Sequence, residues 1–576
     1  MKRFKRNIFL FSACALMFTS CLDLEPEAQL AETNLWQSAE QYKLFASQFY
    51  GWTRDFKTLE GGPHCDSRSD LRTGATLDIY SNGTYSVPSS DDNYTNNYNR
   101  LRQVNLLLSN SENYPIPNDI KTYVGEAKFF RAYLHFDLVQ LYGDVIIVKE
   151  PMTVTSPELQ KARDSRSDVI DFIIKDLQEA IEVLPTYNEI TADDKGRVSK
   201  EAAQAFLSRV ALYEGTWQKF RNEGQVNNDR SSALLDIAVK EADEVIKSNT
   251  FSLFKPGGEL EKTAYKYLFI LEDEKSNPAG LKKDANKEYI FSRRHDEVLS
   301  SIGYNITQGR LGNAVYITRK LANMYLTSDG LPVNEKEWDY STMNSEFKNR
   351  DNRMANTLMV SGEYYWSNGP GRLNWTGDEE DKKNASFSPF YPSDKGGSGY
   401  FTQKFCTERT VATGKEAYDF PVIRYAEVLL NYAEAVFERD GNISNDDLKK
   451  SLNLVRKRVN PDMPDLTNEF VEKNHLDMRT EIRRERTVEL FDEGFRMDDL
   501  KRWYTAEKEM KMDLVGVKYT GTEFERKWPT MSNKTNDEGC VVLESGRIWE
   551  DKHYLYPLPT DQLQLNPNLK QNPGWE

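Results

Sequence analysis

Apolar residues recur at helical spacing over most of the chain. Between 168 and 184, Ile170, Ile173, Ile174, Leu177, Ala180, Ile181 and Leu184 form an i, i+3, i+4 stripe, the mark of a helix with one buried face. Pro185 stops it, and Ser167 or Asp168 is placed to cap its start. The same spacing predicts helices over 37–52, 96–110, 121–142, 199–219, 231–248, 318–326, 422–439, 444–459 and 476–493. Neighbours pair across short turns into hairpins: 121–142 with 168–184, 199–219 with 231–248, and 422–439 with 444–459. Ala202, Ala205, Ala211, Ala238, Ala242, Ala426, Ala433 and Ala435 fall inside these helices, where small side chains permit close approach. Stacked hairpins of this kind build tetratricopeptide-like scaffolds, although the period is irregular and no two hairpins match as repeats. The expected fold is mainly α, a helical-hairpin scaffold carrying a large irregular, loop-rich region.

That region is 250–420, where the helical pattern mostly fails. Residues 361–400 hold eight aromatics, among them Tyr365, Trp366 and Trp375, scattered between Gly and Pro with no period of 2 or 3.6. Gly and Pro punctuate loops, and loops run over surfaces, so these rings either bury against the scaffold or face a ligand. A second aromatic loop, 80–98, places Tyr80, Tyr85, Tyr94 and Tyr98 among Asn82, Asn93, Asn96, Asn97, Asp91 and Asp92. Trp36, Trp52, Trp217 and Trp503 stand on helical patterns and are assigned to packing.

The N-terminus changes the picture of where the chain resides. A basic stretch, Met1–Arg6, precedes an apolar run from Ile8 to Phe18, of signal-peptide length and too short to span a bilayer. It ends Phe18-Thr19-Ser20-Cys21, which looks like a bacterial lipobox that makes Cys21 the acylated first residue of the exported chain. An uncleaved or simply secreted N-terminus is the alternative. The acidic stretch Leu22–Glu27 reads as a solvated tether. Lys and Arg number 75 against 90 Asp and Glu, a net charge of −15. The leader takes away four bases (Lys2, Arg3, Lys5, Arg6) and no acid, so the exported chain is more acidic still. Such a balance argues against a general nucleic-acid binder and against docking on anionic lipid by charge. Past the leader only Cys65, Cys406 and Cys540 follow Cys21, too few for a disulfide framework. Length alone suggests roughly three or four domain-sized units.

Catalytic signatures are missing. The chain has no HExxH, GxxxxGK[ST] or GxSxG, and its five histidines show no metal-ligand spacing. His135 sits on an apolar helix as a core residue. Asp440-Gly441-Asn442 begins like a calcium loop but lacks the later Gly and Glu, so it reads as a turn between helices. No catalytic residue, metal or cofactor is expected.

Four segments carry a family resemblance: GEAKFFRAYLHFDLVQLYGD (125–144), RYAEVLLNYAEA (424–435), EIRRERTVELFDEGFRMDDLKRW (481–503) and YLYPLPTDQLQLNPNLKQNPGW (554–575). Together they resemble the SusD/RagB family of Bacteroidetes surface lipoproteins, which bind nutrients beside a TonB-dependent transporter. By their residues alone these blocks are structural. Glu481, Arg484, Glu485 and Glu489 suit intrahelical ion pairs, Arg486, Glu493 and Arg496 suit ties between helix ends and loops, and Tyr554, Leu555 and Leu558 suit pinning of the C-terminus. The resemblance implies an outer-membrane protein anchored through Cys21, a SusC-like transporter partner, and glycan contacts from a loop ahead of an N-terminal helix and from the irregular middle region, here 66–99 and 300–400. A sugar ring has an apolar face that a flat aromatic covers and a hydroxyl rim that Asn, Asp, Gln or Arg meets. The candidate ligand residues are therefore Asp70, Arg72, Tyr80, Tyr94, Asn97, Tyr98, Tyr304, Tyr365, Trp366 and Trp375. For Asp70 and Arg72 a solvated turn is the competing role, and for each aromatic core packing is. The organisation expected is 1–20 signal peptide, 21–35 acylated Cys and tether, 36–250 helical scaffold with its binding loop, 251–420 irregular aromatic-rich region, 421–505 helical hairpins and 506–576 a terminal segment packing on the scaffold. Glycan capture leads; capture of peptides, as in some relatives, is the runner-up, and a purely structural lipoprotein comes third.

Overall fold

The computed structural model describes residues 35–74, 76–221, 228–312, 315–363, 390–392, 397–409, 411–412, 414–531 and 534–576. The leader, Cys21, Tyr365, Trp366 and Trp375 lie outside the described residues. Helix α1 (Ala39–Ser47) opens on a reciprocal cap: the Ser38 hydroxyl accepts from the Gln41 N–H, and the Gln41 side chain accepts from the Ser38 N–H. Helix α2 (Asp92–Ser111) is capped by Asp91. Helix α3 (Pro117–Tyr142) starts on Pro117, whose missing N–H costs nothing in a first turn, and Gly143 in a positive-φ conformation ends it. In α4 (Arg166–Val183) the predicted stripe is buried. Its cap is Ser165 rather than Ser167 or Asp168: the hydroxyl accepts from the Asp168 N–H at 3.1 Å and donates to its carboxylate at 2.6 Å.

Helices α5 (Lys200–Arg221) and α6 (Asn228–Lys247) follow, and α7 (Tyr425–Asp440) extends the row. Each of α2 to α6 packs on the next in the chain, and α7 packs on α6. Close approach needs small residues at two crossings. A Cβ on Gly125 would stand 2.8 Å from Val183 of α4, and one on Gly215 would stand 3.0 Å from Leu235 of α6.

The third expected hairpin is absent. The stretch 444–459 breaks into Asn445–Lys450 and Leu452–Arg456 at Ser451, whose φ −131°, ψ −98° is not helical. Asn453 exchanges hydrogen bonds with the Leu466 backbone, which holds the second piece independently of the first. The chief partners of α7 are instead α6 and α8 (Met478–Leu490), with α5 next, while α9 (Arg496–Arg502) packs on α5. Residues 422–424, expected as helix, are strand. Strands β1 (Arg72–Thr73), β2 (Tyr289–Arg293), β3 (Tyr316–Ile317), β4 (Phe420–Arg424), β5 (Leu514–Lys518) and β6 (Cys540–Glu544) form the antiparallel pairs β1–β3, β2–β4 and β5–β6. β-branched Val422 and Ile423 favour a pleated, buried surface, and they have one in β2.

One apolar cluster runs from Tyr42 to Trp575, and a smaller one gathers Leu71, Ile317, Phe401, Val517 and Trp528. The main cluster draws on both ends of the chain. The terminal block reaches the end of α3: the Tyr556 N–H donates to Leu141 O at 2.7 Å and the Asn572 amide to Tyr142 O at 3.0 Å. Many of the buried charges gather into ionic webs. Arg424 meets Glu489, Glu493 and Glu288 at 2.7–2.9 Å, while Arg353 and Arg458 share Glu489 at 3.1 and 3.0 Å. Of the intrahelical pairs expected along 481–489, Glu481–Arg484 forms at 3.3 Å. Glu485 and Glu489 reach other elements.

Candidate functional site

Beyond α1 the chain makes a tight turn, Gln48–Trp52, and then a short helix, Phe56–Gly61, capped by Asp55. Phe56 pins this segment, its ring edge-on to Phe405, Tyr418 and Phe420 at centroid distances of 5.2–5.4 Å. With Phe56 turned inward, Trp52, Lys57 and Thr58 line a cleft of about 310 Å³, at the small end of the range of ligand sites. The opposite wall is the start of α2, where Asn93, Asn96, Asn97 and Arg100 stand at i, i+3, i+4 and i+7. Its floor includes His64, Tyr133 and Asp137. Trp52 is half-buried and packs against Phe49 at 5.0 Å, and the Arg100 guanidinium lies 6.0 Å from the indole.

The floor is an ionic relay. His64 places Nδ1 2.8 Å from Asp498 and Nε2 2.9 Å from Asp137. Only the imidazolium donates to both. Burial and Arg54 oppose that charge, but Asp498 and Asp137 outweigh them and raise the His64 pKa. For Asp137 burial also opposes ionisation; His64, Arg54 and the Asn97 amide at 2.7 Å outweigh it and push its pKa down to about 2. Arg54 donates to Gly494 O at 2.8 Å. The floor is therefore spoken for, while the rim is open: Asn96 and Lys57 are exposed, with no hydrogen-bond or ionic partner among the described residues. A flat aromatic beside open amides and cations can take a polar ring by stacking and rim hydrogen bonds.

Of the candidates named from sequence, Asn97 lines this cleft, but it is buried and committed to Asp137. Tyr94 and Tyr98 turn to the other face of α2. Their rings meet at 4.8 Å, Tyr94 packs on Tyr142 at 5.2 Å, and the Tyr98 hydroxyl bonds to the Ile146 backbone. Tyr80 lies under the Arg68 guanidinium at 3.7 Å and against Tyr556 at 5.2 Å. Tyr304 is half-buried against the main core, where burial raises its pKa. Asp70 and Arg72 are neither a ligand rim nor a solvated turn. Asp70 is fully buried, bidentate to Arg496 at 2.7 and 2.8 Å and 3.0 Å from Lys320; burial opposes its charge, yet Arg496 and Lys320 hold its pKa well below the usual range. Arg72 pairs with Asp492 at 2.9 Å and Glu60 at 2.6 Å.

Sequence reasoning missed Trp52, Lys57, His64 and the full asparagine stripe. The stripe was visible as helical spacing among amides, and Trp52 as a tryptophan at the end of a helical pattern. For His64 no local signal existed. A larger cavity, about 670 Å³, lies beside Asp70. It has no aromatic lining, and its Lys320 and Arg319 are already paired with Glu509, Asp70 and Glu335, which makes the Trp52 cleft the better candidate.

Comparison with known proteins gives a consistent match. The model of the SusD family matches residues 274–575, and one described as starch-binding, associating with outer membrane, matches 69–212. A SusD-like protein of Formosa agariphila is 27% identical over 312 residues, 51% of this chain and 55% of its own length. A SusD-like protein of Bacteroides ovatus is 24% identical over 251 residues, 40% and 43% of the two chains. The chain thus aligns with about half the length of these curated relatives. Solved structures are covered almost throughout. A SusD-like carbohydrate binding protein of Bacteroides fragilis superposes with a TM-score of 0.72 at 21% identity, covering 93% of this chain and 99% of that one. The surface glycan-binding protein A of Bacteroides fluxus gives 0.60 at 19%, covering 93% and 99%. Likeness at that identity is a likeness of fold.

Proposed function

The chain belongs to the SusD family, and from that premise we propose that it is a cell-surface lipoprotein that captures an oligosaccharide or polysaccharide and delivers it to a SusC-like TonB-dependent transporter. The observation that carries the reading is the half-buried Trp52 facing an open amide stripe. Tryptophan covers a sugar's apolar face with little rotamer entropy to lose, and Asn93, Asn96 and Arg100 are placed for its hydroxyl rim. Acylated Cys21 holds the protein on the outer membrane, facing outward, and the tether and transporter raise the effective concentration so that binding can be weak. Capture proceeds without catalysis. In support, His64, the histidine of the cleft, has both ring nitrogens committed to carboxylates and neither left to accept a proton.

Calorimetric titration of the full-length protein in mild detergent with plant, microbial and host glycans and a peptide digest tests this, each ligand being recovered and sized. Heat with one glycan class, ligand intact, and loss of that heat in Trp52→Ala are expected. Heat with peptides alone moves the assignment to peptide capture, and shortened ligand reveals an active site. Co-purification with a β-barrel protein tests the partner; a lone lipoprotein counts against it.

A further inference from the structure

The Trp52 cleft adjoins a second depression of about 460 Å³, with Gly51, Thr53 and Arg293 shared between them. The second depression runs between the end of α1, the loop 193–197 and the end of β2. Along the joined groove Lys and Arg outnumber carboxylates, although the chain as a whole carries −15. Much of this positive charge is unspent. Lys57 has no partner among the described residues. Arg100 reaches the Asn97 amide oxygen at 3.4 Å and the Trp52 ring at 6.0 Å. Lys195 points at Tyr187, 3.5 Å from its carbonyl, and Arg294 donates to Lys195 O at 2.6 Å. None of the four forms an ion pair among the described residues. The unpaired carboxylates opposite them are Asp92 and Asp193.

In the webs around Glu489 and Asp492 the cations are paired off. Four cations without an ion pair along one groove of an acidic protein create a local positive field, which a groove focuses on its contents. A neutral sugar gains nothing from such a field. A carboxylate or sulfate does: lysine meets it as a point charge and arginine as a planar fork. The rings in the groove, Trp52 and the half-buried Tyr50, suit sugar faces.

We propose that the joined groove binds an acidic oligosaccharide, bearing uronate carboxylates or sulfate esters, with a sugar ring on Trp52 and its anionic groups directed to Lys57, Arg100, Lys195 and Arg294. This rests on the capture function above and adds the class of glycan to it.

The test is titration of the full-length protein in detergent with three sets of oligosaccharides matched in length: neutral, uronate-bearing and sulfated. The acidic sets bind, and their affinity falls about tenfold or more between about 0.05 M and about 0.5 M salt, as screening of open charges requires. The exposed pair Lys57→Gln with Arg294→Gln weakens acidic ligands by a similar factor while the thermal unfolding midpoint stays in place. The uronate and sulfate arms tell the two anions apart. Neutral oligosaccharides binding as tightly as acidic ones, with no salt dependence, overturn the charge assignment and leave glycan capture standing. Binding of acidic peptides in place of all three sets, or of nothing, overturns both.

Discussion

Two polar clusters lie close together in this molecule and behave oppositely. Around Arg424, Glu489 and Asp492 the cations are buried and paired, with Arg310 and Arg72 closing on Asp492 and Lys404 on Glu493. In the Trp52 cleft a comparable stock of Arg, Lys, Asp and Asn is only half committed. Its floor is locked through His64 and its rim is open. Residue type does not separate the two, because both are rich in the same side chains. What separates them is the inventory of partners: a desolvated charge persists only where an opposite charge or hydrogen bonds offset the loss of water. An unpaired cation survives at the rim because solvent reaches it, and there a ligand can take the place of solvent.

Breaking the closed cluster is expected to have the largest effect. Glu489→Ala leaves Arg353, Arg424 and Arg458 facing one another without their shared carboxylate, and a loss of about 3–5 kcal/mol in denaturant unfolding is expected. Lys57→Ala at the open rim is expected to move stability by no more than about 0.5 kcal/mol. Equal costs for the two would erase the distinction.

The next effect separates packing from binding among the tryptophans. Trp217→Ala, in the core, is expected to lose about 3–5 kcal/mol of stability, whereas Trp52→Ala keeps most of its stability and loses ligand affinity by about tenfold or more, the scale of one aromatic contact. Trp52→Ala with full affinity would remove the cleft from the site. The double substitution Tyr365→Ala and Trp366→Ala, outside the described residues, is expected to abolish binding with little loss of fold; retained affinity would confine the site to the cleft.

The smallest effect follows from the locked floor. Because the His64 pKa is raised in the fold, the stability it contributes is fully present below the ordinary imidazole value, about 6.5, and is lost as the pH rises through the raised value. Asp137 works the other way: depressed to about 2, it contributes above the ordinary carboxylate range and loses that contribution as the pH falls toward 2. A denaturation midpoint that declines on the alkaline side in the parent chain, and no longer does so in His64→Asn, is the expected record. An identical pH profile in both would show that the imidazolium is not held as the geometry requires.

Much of the scaffold was legible from the chain. The stripe at 168–184 became the buried face of α4, and the apolar runs at 121–142, 199–219 and 231–248 became α3, α5 and α6. Periodicity failed where a tertiary contact competed with local preference, as at Val422 and Ile423, drawn into a strand by β2, and at Ser451, where the helix breaks just before Asn453 ties to Leu466. The candidate site was less legible. Asn97 was recognised among its neighbours, yet Tyr94 and Tyr98, each one residue past a member of the stripe, face the core, since adjacent positions on a helix point about 100° apart. Asp70 and Arg72 appeared to belong to a loop because their partners, Arg496 and Asp492, lie more than four hundred residues away.

By itself the sequence determined the helical class, two of the hairpins in the packed row, the family through four motif blocks, and the acidity against which a basic groove stands out. Those follow from local spacing and composition, which need no knowledge of distant partners. The tertiary structure alone decided which polar residues were spent and which left open, because pairing depends on distances between segments remote in the chain, and a charge costs or contributes according to what lies beside it.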